Sequence, residues 1–269
     1  MEANDTTFAG SIPALYDRHL GPLLFEPYAE DLASRLADLV SGALLETAAG
    51  TGIVTQALLK RLPPAVSVTA TDLNQAMVDF AAGKAGMARA TLRQADALAL
   101  PFPADHFDAV VCQFGVMFFP DRVAGYREAR RVLTPGGRFV FNIWDSLAHN
   151  AAARCVNDAM AAHFPDDPPR FFARTPHGHH DTDVIRRELG QAGFTRITLE
   201  TVSRTSRSAS PREAAIGFCQ GTPLRGEIEA RVPQGLSAAT DRVATALAAR
   251  FGEGPLAAPM QAHVIVAVK

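Results

Sequence analysis

The sequence predicts an α/β fold: a doubly wound, mostly parallel sheet of seven strands, with helices on both faces and helical insertions. Three observations predict it. Short apolar runs at 43–46, 66–71, 107–113 and 138–143 alternate with segments of helical period. The clearest runs are apolar on both sides of the pleat, as strands covered on both faces are. Turns containing glycine or proline punctuate the strands and helices. A chain of 269 residues suits one large domain with insertions.

Taken in order, residues 27–40 place Tyr28, Leu32, Leu36, Leu39 and Val40 near helical spacing and predict an amphipathic helix. Residues 43–46 read as a short buried strand. After a glycine turn, Val54, Ala57, Leu58 and Leu62 mark a helix stopped by Pro63-Pro64. The β-branched run 66–71 is a second strand, 74–82 a helix ending at Gly83, and 91–94 a third strand. Residues 107–113 form the fourth strand, and 121–133 a helix closed by Pro135-Gly136-Gly137. Residues 138–143 are a fifth strand, and 183–192 a helix with Gly193 as its C-terminal cap. Two late strands follow at 195–202 and 263–268.

Two segments break this alternation: 146–180, rich in Pro, Phe and His, and 208–258, helix-like and rich in Arg and Ala. With the N-terminal stretch they are expected to be caps over the carboxyl edge of the sheet, where open α/β folds bind ligands. The expected organisation is one domain over 1–269. Its core is 27–145, 181–203 and 259–269, and its cap segments are 1–26, 146–180 and 208–258.

Composition narrows the function. Apolar residues make up 48% and charged residues 20%, ordinary for a globular chain. A formal net charge of -2 leaves no footprint for nucleic acid or an anionic membrane. The acidic, polar N-terminus lacks a secretory pattern, and the densest apolar stretch, 110–119, is too short to span a bilayer. Cys112, Cys155 and Cys219 are scattered and odd in number. That fits reduced cytoplasmic thiols and no metal site. A monomer or homodimer is expected.

The chemistry starts at the strand-turn-helix Leu45-Glu46-Thr47-Ala48-Ala49-Gly50-Thr51-Gly52-Ile53. Small residues let backbone approach a ligand, and the helix N-terminus after them favours an anionic group. Asp72 ends the second strand, twenty positions after Gly52. A carboxylate there can accept from a ribose diol, or can simply cap the next helix. A dinucleotide fingerprint needs a third glycine where Thr55 stands, and it has no role for Glu46.

With these residues in hand, Glu46-x-Ala48-x-Gly50-x-Gly52 resembles motif I of the class I S-adenosylmethionine-dependent methyltransferases. Thr71-Asp72-Leu73-Asn74-x-x-Met77 is similar to the family's acid after strand two. Gln94-Ala95-Asp96-Ala97 with Leu100-Pro101-Phe102 resembles its adenine stretch. Asp105-His-Phe107-Asp108-Ala-Val-Val and Arg127-Glu128-Ala129-x-Arg131-Val132-Leu133-x-Pro135-Gly136-Gly137 resemble the segments around strands four and five. The likeness is strong over 44–144 and points to small-molecule enzymes similar to those of ubiquinone and menaquinone biosynthesis.

The resemblance implies a Rossmann-like sheet whose last strand is antiparallel, and S-adenosylmethionine as cofactor with S-adenosylhomocysteine as product. It implies that Gly50 and Gly52 line the methionine and ribose portion and that Glu46 holds the methionine ammonium through water. Asp72 would take both ribose hydroxyls, with Leu73 and Met77 against the adenine. Asp96 would accept from the adenine amino group, and the Ala97 amide would donate to the ring. Gln113 and Phe114 would lie under the sulfonium methyl. Ala48, Ala49, Thr51, Ala95 and Phe118 complete the implied contacts. Ala48 stands where the family has its first glycine; the turn tolerates it if that position keeps a negative φ.

Methyl transfer asks mainly for alignment, and a base helps when the acceptor carries a proton. Tyr16, His19, His177 and His179 are the candidate bases, although the loop 177–181 is expected to be solvated and to cap the following helix. Gln113, Phe114 and Phe118 are the expected floor of an apolar acceptor pocket. The alternative is that Phe118 and Phe119 pack beneath the next helix. The expected reaction is methylation of a small hydrophobic or aromatic molecule. A non-catalytic S-adenosylmethionine binder and a nicotinamide oxidoreductase are the rival readings.

Overall fold

A computed structural model describes Phe8 and residues 10–269. The helical elements are α1 (Ile12–Leu15), a π-helix (Tyr16–Phe25), α2 (Glu26–Ser34), α3 (Ile53–Arg61), α4 (Gln75–Ala82), α5 (Arg122–Val132), α6 (Ala151–His163), α7 (Phe171–Arg174), α8 (Thr182–Gln191), α9 (Pro211–Gln220), α10 (Leu224–Arg231) and α11 (Leu236–Phe251). The strands are β1 (Gly42–Glu46), β2 (Val66–Asp72), β3 (Ala90–Gln94), β4 (Phe107–Gln113), β5 (Leu133–Trp144), β6 (Arg196–Ser208) and β7 (Leu256–Val268).

Among the described residues these strands form one seven-stranded sheet of order β3-β2-β1-β4-β5-β7-β6. β1 to β5 are parallel. β7 runs antiparallel: Lys269 bonds to Gly136 and Gly137, while Gln261 bonds to Asp145, so one chain rises as the other falls. Side-chain bonds from Thr201 to His263 and from Ser206 to the Ala258 carbonyl show the same sense against β6. Strand order reverses between β1 and β4, the switch point at which ligands enter such sheets.

The chain divides into two compact units. One comprises Pro27–Ile143, His180–Val202 and Ala262–Lys269; the other comprises the segment up to Glu26, Trp144–His179 and Ser203–Gln261. The first unit's core is the sheet, with Leu44, Leu45, Val110, Val111, Val140 and Phe141 buried at its centre. Phe139 stacks on Phe141 at 4.7 Å, and Tyr126 from α5 tilts over Phe141 at 5.5 Å. In the second unit α11 packs on α9 and α6, and α9 packs on the π-helix. Arg174 and the Arg170 amide both bind Glu227, tying α7 to α10.

Four elements differ from the sequence expectation. The helix expected over 27–40 stops at Ser34, because Leu36, Ala37 and Leu39 bond three residues back and tighten into turns. Val40 is 71% exposed there. Gly137 belongs to β5, not to a closing turn. The β4–β5 register jumps between Phe107 and Ala109, and Gly136 at φ +82° bonds to the end of β7, so the Pro-Gly-Gly run is a bulge. β6 and β7 each extend beyond the expected spans, to Ser208 and back to Leu256.

Candidate functional site

The loop after β1 is stitched to both neighbouring strands. Thr47 N donates to Val111 O and Ala49 N to Thr71 O, each at 2.9 Å. Three of its residues have left-handed backbone: Ala48 at φ +52°, Gly50 at +55° and Gly52 at +79°. A Cβ on Gly52 would also come 2.7 Å from Met87 Cε, so the methionine would have to shift. At Gly50 a Cβ would meet nothing within 4 Å, so that face of the loop is open. The expected negative φ at Ala48 is not found, and the motif's alanine is held in a conformation that costs about 1–2 kcal/mol for a residue with a Cβ. Gly115 explains the constraint: a Cβ on it would lie 2.5 Å from the Ala48 Cβ and 2.6 Å from Cys112 Sγ, so the two loops pack directly.

α3 begins at Ile53 with Gly52 as N-cap and no side-chain cap, leaving its first amides without a side-chain acceptor. The Thr51 hydroxyl is buried and has no partner among the described residues. Glu46, 1% exposed at the end of β1, accepts from the Thr55 hydroxyl at 2.6 Å. Burial pushes its carboxyl up to about 8, and the nearby Asp72 adds to the effect. Asp72 accepts from Gly50 N and from Asn74 N, both at 2.8 Å. Its burial also raises its pKa, against the pull of those amides. Asp72 therefore braces both the glycine loop and the turn into α4.

Along the same edge, Leu73 is 50% exposed whereas Met77 is buried in α4. Ala95 N donates to Asp72 O at 3.0 Å. Ala95 and Ala97 are half-buried and Asp96 is exposed. Asp96 Oδ1 accepts from Leu98 N at 2.8 Å.

At the end of β4, Gln113 is half-buried and Phe114 is buried at φ +49°. Phe114 N donates to Asn142 Oδ1 at 2.8 Å and to Asn142 O at 3.2 Å. The Phe114 ring meets Tyr28 edge-on at 5.3 Å, and the Tyr28 hydroxyl donates to Val202 O. Asn142 was not legible as a functional residue: an asparagine inside an apolar strand gives no spacing signal. Its Nδ2 is buried and has no partner among the described residues. Phe119 is buried against Gly125 of α5, whereas Phe118 is half-buried. Phe119 therefore packs beneath the helix, as the alternative expects for it.

The candidate bases lie in the second unit. His19 pairs with Glu213 at 2.7 Å. Of the loop expected to be solvated, Gly178, His180 and Asp181 are exposed, whereas His177 and His179 are 6% and 7% exposed and turn inward. His177 Nδ1 lies 2.7 Å from Asp145 O and donates to it, since a carbonyl can only accept. The expected helix cap is found: Asp181 accepts from Asp183 N and Val184 N. Tyr16 stacks on Phe25 at 4.7 Å. In an α-helix of about 3.6 residues per turn, positions nine apart point to opposite sides, and the wider π-helical winding brings them together. Phe171 packs on Phe172, and Phe172 on Phe218, all three buried in that unit's own core. Arg212 pairs with Asp241. The three cysteines are free and buried, and burial pushes the Cys112 and Cys219 thiols up to about 12. That is the inert state of a small apolar side chain.

A family model described as a methyltransferase domain matches residues 45–141. Over 171 residues the chain is 30% identical to the ubiquinone/menaquinone biosynthesis C-methyltransferase UbiE of Burkholderia vietnamiensis, a match covering 60% of this chain and 70% of that protein. The chain belongs to the class I S-adenosylmethionine-dependent methyltransferases. A second UbiE, from Geobacter sulfurreducens, is 40% identical over 103 residues, or 37% of this chain. The match covers 40% and 41% of the first curated relatives' lengths. YcgJ of Bacillus subtilis shares the fold at TM-score 0.59 and 19% identity, over 90% of this chain and 98% of that one. The methyltransferase model ends at residue 141, so the whole second unit lies outside it. No described helix is long and apolar enough to cross a membrane.

Proposed function

We propose that this methyltransferase moves the methyl group of S-adenosylmethionine to a small hydrophobic or aromatic acceptor. The observation that carries the reading is the pairing of two buried carboxyl groups, Glu46 and Asp72, at the carboxyl ends of adjacent parallel strands, around an open left-handed glycine loop. The cofactor fits the polar groups left over there. The Thr51 hydroxyl and the uncapped start of α3 suit a carboxylate, and Glu46 suits an ammonium. Asp72 keeps lone pairs for a ribose diol beyond the two backbone amides it accepts. The half-exposed Leu73 suits an adenine face, with the second Asp96 oxygen and the Ala97 amide at its edge. When bound, the sulfonium supplies an already activated methyl group, so the protein's task is alignment.

The acceptor class follows from the end of β4. Phe114, Val116 and Met117 are buried and Phe118 is half-buried. Loops of that composition need apolar cover. Phe114 is fixed twice, by Asn142 on its amide and by Tyr28 on its ring, so it can hold a flat acceptor in register. The relatives named as quinone-biosynthesis C-methyltransferases point the same way. Incubation with labelled S-adenosylmethionine and a panel of quinols, phenols and amines, read by mass, should show one added methyl on a quinol or phenol. A folded chain that binds S-adenosylhomocysteine but methylates nothing would be a non-catalytic binder. One that binds NAD instead would be an oxidoreductase.

A further inference from the structure

Glu46 and Asp72 share one site but not one environment. Asp72 accepts from two backbone amides and from the Asn74 side chain. Glu46 is more deeply buried, and its carboxyl has the Thr55 hydroxyl as partner. The Thr71 hydroxyl binds the Glu46 backbone carbonyl, not its carboxyl. Facing Glu46 are Thr55 from α3, Asp72 from β2 and the Cys112 thiol from β4, with no cation paired to it among the described residues.

We propose that the ligand-free protein holds Glu46 as a neutral carboxylic acid beside the Thr55 hydroxyl, and that capture of an ammonium-bearing ligand drives that proton into solvent. The inference rests on the cofactor reading above. Two adjacent buried acids do not both ionise easily, and the one with more amide donors keeps the charge. Asp72 has the amides, so Glu46 takes the proton, in keeping with its rise to about 8. An ammonium placed against Glu46 reverses the balance. The carboxylic acid and the ammonium become a carboxylate–ammonium pair, and one proton leaves. Thr55 stands where a dinucleotide turn would have glycine, and glycine would remove the hydroxyl. The Asp72 carboxylate, which keeps its charge, also repels a pyrophosphate. The Glu46–Thr55 pair therefore selects for the charge of the ligand as well as its shape.

The test is calorimetry with S-adenosylhomocysteine in two buffers of different ionisation enthalpy, which counts protons. The control is 5′-methylthioadenosine, which keeps the nucleoside and sulfur but has no ammonium. At about pH 6.5, where a free α-amino group stays charged, S-adenosylhomocysteine should release close to one proton and methylthioadenosine none. Affinity for S-adenosylhomocysteine should rise about tenfold per pH unit between about pH 6 and 7, and that for methylthioadenosine should stay flat. Glu46→Gln, shown to be folded by its melting curve, should lose both the proton release and the slope. Equal S-adenosylhomocysteine affinity at about pH 6 and 8 with no proton released would overturn the proposal and leave the cofactor reading intact. A folded chain that binds neither compound would overturn both.

Discussion

Ala48 is the residue at which sequence reasoning and structure part most sharply. A left-handed φ cannot be read from the letter alanine, because the constraint comes from a distant contact, the close approach of Gly115. The strain has a measurable consequence. In ordinary helix conformation an alanine-to-glycine change costs about 0.5–1 kcal/mol. At Ala48 relief of the left-handed strain offsets that loss, so Ala48→Gly should melt at or slightly above the parent temperature. A drop of several degrees would contradict the left-handed assignment. Asp72, by contrast, could be picked out from its place at the end of the second strand, and Glu46 from the likeness of its segment to motif I of the family. What the sequence hid is that Asp72 also braces the loop. Asp72→Ala should therefore weaken S-adenosylhomocysteine by about 2–3 kcal/mol and also cost about 1–3 kcal/mol of stability, from the stranded Gly50 and Asn74 amides. Loss of affinity with an unchanged melt would show those bonds to be idle. Glu46 adds a pH dependence. Its folded value of about 8 lies above its ordinary 4.5, so the folded state holds a proton that the unfolded chain has released. The stability it contributes is present at low pH and declines as pH rises from about 4.5 to 8. Urea melts of the ligand-free chain at about pH 5.5 and 7.5 should lose more stability across that interval than those of Glu46→Gln.

At the scale of elements, the central strands were legible because parallel strands covered on both faces are near-continuous apolar runs. β6 was legible only in part. Its Arg196–Ser208 run is mostly exposed and rich in Arg, Ser and Thr, and such an edge strand looks like loop. The π-helix was hidden by Gly21 and Pro22, which ordinarily mark a break. Asn142 joins β5 to the end of β4, and it tests how far a strand positions the next loop. Its side chain accepts one of the two bonds from Phe114 N–H. Asn142→Leu should cost about 1–2 kcal/mol by leaving that amide with the weaker backbone partner. Asn142→Asp, which keeps the acceptor oxygen, should retain the bond but bury a charge, and should recover stability as pH is lowered. Equal melting of both variants at low and neutral pH would mean that the Phe114 turn holds without its side-chain anchor.

For the whole molecule, the question is whether the loops at the sheet's carboxyl edge act as one site. They come from four separate stretches: 47–52 after β1, 72–74 after β2, 95–98 after β3 and 113–115 after β4. Each is held to a neighbour by backbone bonds, such as Ala49 N to Thr71 O and Ala95 N to Asp72 O, so the edge is pre-built and little of it has to order on binding. A ligand that touches all four should slow amide exchange in all four together. The strand interiors, already bonded, should change little. By mass action, S-adenosylhomocysteine at about 100 times its dissociation constant should stabilise the chain by about 2.7 kcal/mol. Hydrogen exchange read peptide by peptide, with and without S-adenosylhomocysteine, separates the outcomes. Protection over 47–52 and 72–74 without 95–98 would place the adenine away from Asp96 and Ala97. Protection confined to the unit made of the N-terminal segment, Trp144–His179 and Ser203–Gln261 would move the ligand off the sheet edge, and the assignments to Glu46 and Asp72 would fall with it.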